Sequence, residues 1–254
     1  MVASSAVTST ISTTLTQVSC GSGTNVWGVD AAHNIYQFQS SDGGHTWTQT
    51  HIPGGLQQVS VAADGTVWGV NSAGAIYQYN GSGWTTIAGT LAQVSVGSAS
   101  LIWGVNSAGT IYRYNGSGWT TIAGALKQVS VASDGTVWGV NPAGIAYQYV
   151  NNTWVSTPGH GQGAGNTTDY ANGNGTFTLV AVMQANSVYS SIYALDPSDP
   201  NVHLYSYVGG TNAPYAWLPE QKYGNTLTYC SVASDGTIGI IDQGMTTITV
   251  FPPS

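Results

Sequence analysis

Nine aspartates, one glutamate and five histidines are all that this chain offers for acid–base or metal chemistry, and their spacing assembles no site. A glycosidase sets two carboxyl groups across the bond it cleaves. Here Glu220 is the lone glutamate, and Asp64, Asp134 and Asp235 recur at one place in successive D-G-T turns, where aspartate serves the turn. A sialidase-type clamp needs several arginines, and Arg113 is the only one. No Gly-x-Ser-x-Gly elbow is present. His33 stands where sister segments carry Gly74 and Gly109, a position that calls for positive φ, which histidine tolerates. His45, His51 and His160 have no i,i+4 partner and no cysteine beside them, so nothing suggests zinc. The expectation is a protein that is not an enzyme and carries no cofactor.

The aromatic residues are richer: nine Trp, fifteen Tyr and three Phe. They recur with a period. Residues 71–89 and 106–124 differ at two positions only, Ala75/Thr110 and Gln78/Arg113. Leu56, Leu91 and Leu126 open successive units at a spacing of 35, each beginning L-x-Q-V-S-V. A longer copy opens at Leu15, an eroded one lies between residues 177 and 220, and a late one opens at Leu227 without the tryptophan. That makes six copies. A fixed period of this length signals a solenoid, a propeller or an array.

Each unit reads as four short strands, in the second copy 58–62, 67–70, 75–79 and 84–88, joined by ADGT, NSAG and NGSG turns. Period-two patterning with β-branched and aromatic residues supports strands, and tight turns imply antiparallel meanders rather than a solenoid. The last copy lacks a fourth strand, while residues 7–14, VTSTISTT, form a surplus one at the other end. The expected architecture is therefore all-β, a six-bladed β-propeller in a single domain over residues 1–254. The N-terminal strand pairs with residues 247–251 to close the last blade, which spares the ring an open edge.

Charged residues are 5% of the chain and the net charge is −7. Three cations in such a chain argue against nucleic acid and anionic membranes as partners. No apolar window reaches the length of a membrane span. The first fourteen residues show no basic region and no apolar core, so no secretory signal is recognised and a cytoplasmic protein is expected. Cys20 and Cys230 replace valines of the innermost strands, which predicts buried thiols.

The repeated V-W-G-V-N core followed by I-Y, intact at residues 67–71 and 137–141, resembles the tectonin repeat of tectonin-type β-propellers. The resemblance implies a six-bladed propeller that binds sugars, methylated glycans of foreign organisms among them, in a defensive role, and that is not an enzyme. It often includes an arginine after the I-Y pair, where this chain has Gln37, Gln78, Arg113, Gln148 and Ser206.

Trp27, Trp68, Trp103 and Trp138 follow strand register and are expected to pack between blades, with the glycines after them admitting a neighbouring sheet. Trp84, Trp119 and Trp154 begin outermost strands. With Tyr77, Tyr112 and Tyr147 they are candidate platforms for the apolar face of a sugar, and Asn71, Asn106 and Asn141 are candidate polar contacts, with Arg113 the one charged variation. The leading function is a lectin for neutral glycans bound in clefts between blades. Two alternatives stand beside it. One is a carrier of an unknown small hydrophobic or coloured molecule in the central channel or under the Gly-rich stretch 158–175. The other is a scaffold for protein partners.

Overall fold

The computed structural model describes residues 8–156, 179–182, 192–195, 204–210, 213–219, 227–233, 237–242 and 247–251. The Gly-rich stretch 158–175, His160, Glu220 and Asp235 lie outside them. Every regular element among the described residues is a β-strand.

The first blade consists of β2 (Leu15–Ser22), β3 (Asn25–Asp30), β4 (Ile35–Gln39) and β5 (Thr48–Ile52). The second holds β6 (Gln58–Val61), β7 (Val67–Val70), β8 (Ile76–Tyr79) and β9 (Trp84–Ile87). The third holds β10 (Gln93–Ser98), β11 (Leu101–Val105), β12 (Thr110–Tyr114) and β13 (Trp119–Ala125). The fourth holds β14 (Gln128–Val131), β15 (Val137–Val140), β16 (Ala146–Val150) and β17 (Thr153–Ser156), and the fifth β18 (Leu179–Val182), β19 (Ile192–Leu195), β20 (Leu204–Gly210) and β21 (Ala213–Pro219). Each is an antiparallel meander in chain order.

Consecutive strands thus complete five blades, one short of the six that the repeat count suggests. The remaining four-stranded sheet is composite, with β1 (Ser9–Ser12) from the front of the chain beside β24 (Thr247–Phe251), then β23 (Ile238–Asp242) and β22 (Leu227–Val232). Its closure by the N-terminal strand is partial. Only Ser9–Ser12 pair, with Val250 to Thr247, although residues 8–14 were expected to run along all of 247–251. The innermost strands β2, β6, β10, β14, β18 and β22 each touch the next, and β22 touches β2, so the sheets form a ring. Four-stranded antiparallel sheets arranged radially are a β-propeller.

Turn chemistry follows the expectation. His33 has φ 68°, in register with Gly74 at 81° and Gly109 at 84°. The glycine after each inner tryptophan has a different use from the one expected. A Cβ on Gly69 would lie 2.4 Å from Leu56 Cδ1, and one on Gly104 2.4 Å from Leu91 Cδ1. The space belongs to the leucine that opens the same unit, not to the neighbouring sheet. These leucines are 2% exposed or less, so the L-x-Q-V-S-V opening anchors each blade on its own second strand.

The core is a series of seams between blades. Trp27 of the first blade meets Tyr79 and Trp84 of the second edge-on, at 5.3 and 6.4 Å between ring centroids. Trp68 meets Tyr114 and Trp119 in the same way, and Trp103 meets Tyr149 and Trp154. The quadrupoles of aromatic rings favour such edge contacts, and large buried rings carry most of the apolar area. Trp27, Trp68 and Trp103 therefore do pack between blades.

Candidate functional site

The expectations point to two places for a ligand: the axis of the ring and the clefts between blades. At the axis, each innermost strand turns an unpaired edge inward, since its only ladder partner lies outward. Those backbone groups need partners. The Q and S of L-x-Q-V-S-V supply them. Gln17 accepts from Val59 N–H at 3.0 Å and donates its amide to Val59 O at 2.9 Å and Val18 O at 2.8 Å. Gln58 does the same to Val94, and Gln93 to Val129. Two residues on, Ser19 accepts from Val61 N–H, Ser60 from Val96 N–H and Ser95 from Val131 N–H, all at 3.0 Å. Ser231 of β22 accepts from Cys20 N–H at 2.9 Å, which carries the zipper across the point where the chain ends meet. In the composite sheet Tyr229 takes the glutamine's place, and burial pushes its hydroxyl up to about 12. Among the described residues, those of β2, β6, β10, β14 and β22 line a cavity of about 70 Å³ at the axis. That is room for about two waters.

Cys20 and Cys230 line this axis as buried thiols without a disulfide, as the valine register predicts. Burial, with the nearby Cys20 sulfur, pushes the Cys230 thiol well above the ordinary range. A thiol so shifted is not a nucleophile at neutral pH.

Between blades, the structure brings the asparagine and tyrosine candidates together. Asn71 accepts the N–H groups of Ala73 and Ala75 on its Oδ1 and donates Nδ2 to the Tyr77 hydroxyl at 3.4 Å. Asn106 repeats this with Tyr112 at 3.3 Å, and Asn141 with Tyr147 at 3.4 Å. Asp30 plays the part in the first blade. It accepts from Ala32 and Asn34 N–H, from the Asn34 amide and from the Tyr36 hydroxyl. Burial opposes its ionisation, but these donors outweigh it and hold the carboxyl below its usual range. Each asparagine therefore spends its carbonyl on the turn, while the tyrosine hydroxyl proton remains to be donated. All six side chains are half-buried.

The outer tryptophans are half-buried, and their indole N–H groups are engaged. Trp84 donates its indole N–H to Pro53 O at 3.0 Å, Trp119 to Ala88 O at 3.0 Å and Trp154 to Ala123 O at 3.1 Å. Each also lies on a linker glycine of the preceding blade. A Cβ on Gly89, whose φ is 121°, would be 3.0 Å from Trp119 Cδ1. Tyr77 and Trp84 pack on one apolar cluster, Tyr112 and Trp119 on the next, and Tyr147 and Trp154 on the third. The asparagine, tyrosine and tryptophan of each unit thus belong to one seam. Arg113 does not join them: it follows Tyr112 in β12 and therefore stands on the other face of the sheet. The glutamine–serine zipper was missed by sequence reasoning, although polar residues at every second place of a strand with no wet side are its signal.

With this geometry in hand, comparison with known proteins decides the lineage. The Tectonin domain family model matches residues 3–82 and 75–213. The chain belongs to the tectonin family. No curated protein matches it in sequence. Among solved structures, a chain of the mitotic checkpoint complex shares 12% identity over 96% of this chain and 93% of its own, with a TM-score of 0.60. The WD40 β-propeller domain of Doa1 shares 10% over 98% and 96%, at 0.57. Virginiamycin B lyase from Staphylococcus aureus shares 12% over 90% and 76%, at 0.56. Similarity at that identity shows the propeller fold and nothing finer. No helix among the described residues of this tectonin propeller is long and apolar enough to cross a membrane, and no metal-binding cluster occurs among them.

Proposed function

We propose that this tectonin protein is a lectin for neutral glycans, methylated ones included, bound in like clefts at successive blade seams, and not an enzyme. One observation carries the reading: the Asn–Tyr pair recurs with the same hydrogen bond at three consecutive seams, half-buried, its tyrosine packed on the same apolar cluster as a half-buried tryptophan. Tyrosine hydroxyl, amide and ring edge together suit a sugar, which presents hydroxyls around an apolar face. The lectin character of the family that the V-W-G-V-N repeats resemble points the same way. The axial zipper weighs against a pigment carried in the central channel, because about 70 Å³ does not admit one.

Three like sites would each be weak, and tethered glycans would gain by engaging several at once. The test is a glycan array with methylated and unmethylated sugars, followed by calorimetry on Tyr77→Phe, Tyr112→Phe and Tyr147→Phe. Each variant keeps the ring and loses the hydroxyl, so each should bind about tenfold more weakly at one site. Parental binding by all three would remove the reading, and an array without any glycan signal would favour a protein-binding scaffold.

A further inference from the structure

Arg113 lines a cleft of about 470 Å³ with Ala99, Ser100, Asn115, Thr120 and Ile122 among its neighbours. That size is typical of small-molecule sites. It lies at the turns joining β10 to β11 and β12 to β13, the strand ends opposite Asn106. Arg113 pairs across the ladder with Thr120, and Ile111 with Ile122, so Arg113, Thr120 and Ile122 share one face of the blade. Asn115 donates to Thr120 Oγ1 at 3.4 Å, which leaves the threonine proton for a ligand. The guanidinium is exposed and has no hydrogen bond or ion pair with a described residue.

Two substitutions coincide here. The second and fourth blades have Gln78 and Gln148 where the third has Arg113. They also have Asp64 and Asp134 in the turn where the third has Ala99. Relative to its sister blades, this cleft has gained a positive charge and lost a negative one. Asp64 of the second blade remains at its rim, accepting Ala99 N–H at 2.8 Å. Burial opposes the ionisation of Asp64, yet the Thr66 and Ala99 N–H groups hold it below the usual range, so it stays charged. The cleft thus presents one cation against a protein of net charge −7. A polyanion is repelled beyond the local site, whereas a single carboxylate meets, within about 8–10 Å, the guanidinium inside the cleft and the Asp64 carboxylate only at its rim.

We infer that this cleft binds a monocarboxylated sugar, a hexuronate. Its carboxylate takes the planar fork of Arg113, its hydroxyls reach Thr120 and Ser100, and its ring lies over Ile122. The site stands apart from the Asn–Tyr clefts and does not depend on them.

The experiment titrates methyl glucuronide, methyl glucoside and acetate into the full chain, followed by NMR shifts of the single arginine Nε–H and by calorimetry. The glucuronide should bind at one site per chain and move the Arg113 signal. The glucoside and acetate should each bind at least about tenfold more weakly. Arg113→Gln restores the residue of the sister blades and should abolish the preference while the melting temperature holds. Ala99→Asp restores the lost carboxylate beside the guanidinium and should do the same. Glucuronide binding that persists in Arg113→Gln overturns the inference, as does acetate binding equal to the glucuronide, which would mean that the sugar is not read.

Discussion

Three seams of this propeller are copies of one another, and the seam between the composite sheet and the first blade is not. At the copied seams an inner tryptophan meets a tyrosine and an outer tryptophan. At the composite seam Gly239 stands in the register of the inner tryptophan, Phe38 in that of the tyrosine and Gln49 in that of the outer tryptophan, with Trp47 two residues earlier. Cys20 fills part of the space: a Cβ on Gly239 would lie 2.4 Å from its sulfur. Trp47 turns its indole N–H to Ser9 Oγ of β1 at 3.1 Å. Ile11 of the same strand is 6% exposed and packs with Phe38, Ile248 and Val250. The copied seams are held by rings; the composite seam is held by a strand borrowed from the other end of the chain. Apolar burial is interchangeable between the two, but the strand also satisfies a backbone edge, which no ring can do.

Removal of residues 1–14 attacks the composite seam alone. It strips β24 of its partner and exposes Phe38 and Ile248, so the melting temperature should fall by more than about 10 °C, several kcal/mol for a chain of this size. Calorimetry of the truncated protein checks it, and a melting temperature within 2 °C of the parent (about the shift of a sub-kcal/mol change) would deny β1 its role. Gln58→Ala attacks a copied seam at the axis. It leaves Val94 N–H without its partner, and the expected loss is about 1–3 kcal/mol in urea unfolding. The smallest effect separates two copied seams from each other. Trp27 donates its indole N–H to Asn25 Oδ1 at 3.2 Å, whereas Trp68 Nε1 is buried with no acceptor. Trp27→Phe should therefore cost about 1 kcal/mol more than Trp68→Phe. Equal losses would show that the aromatic contacts alone carry both seams.

The repeats made much of this legible. Strands β6 to β9 fall within a residue of their expected bounds because turns such as ADGT and NSAG punctuate them. The surplus strand at the front was visible because the last unit lacks one. Its length was not, since pairing stops where β1 ends at Ser12, short of Leu15 and the start of β2. The axial zipper escaped because glutamine and serine in a strand look like a wet face, and nothing local tells that the face is an inner edge. The indole partners of the outer tryptophans were not legible either, since they are linker carbonyls more than thirty residues back in the chain.

The zipper at the axis has a consequence for the history of such a chain. Gln58 addresses the N–H and C=O of Val94, groups that every residue but proline would offer at that place. A unit therefore recognises its successor without regard to the successor's side chains. Unequal crossing-over between stretches as alike as 71–89 and 106–124 would add or delete a whole unit, and the newcomer would find its neighbours ready to accept it. Divergence can then proceed in one copy at a time, as the exchange of Gln78 for Arg113 records, while the number of copies answers only to the geometry of closing a ring.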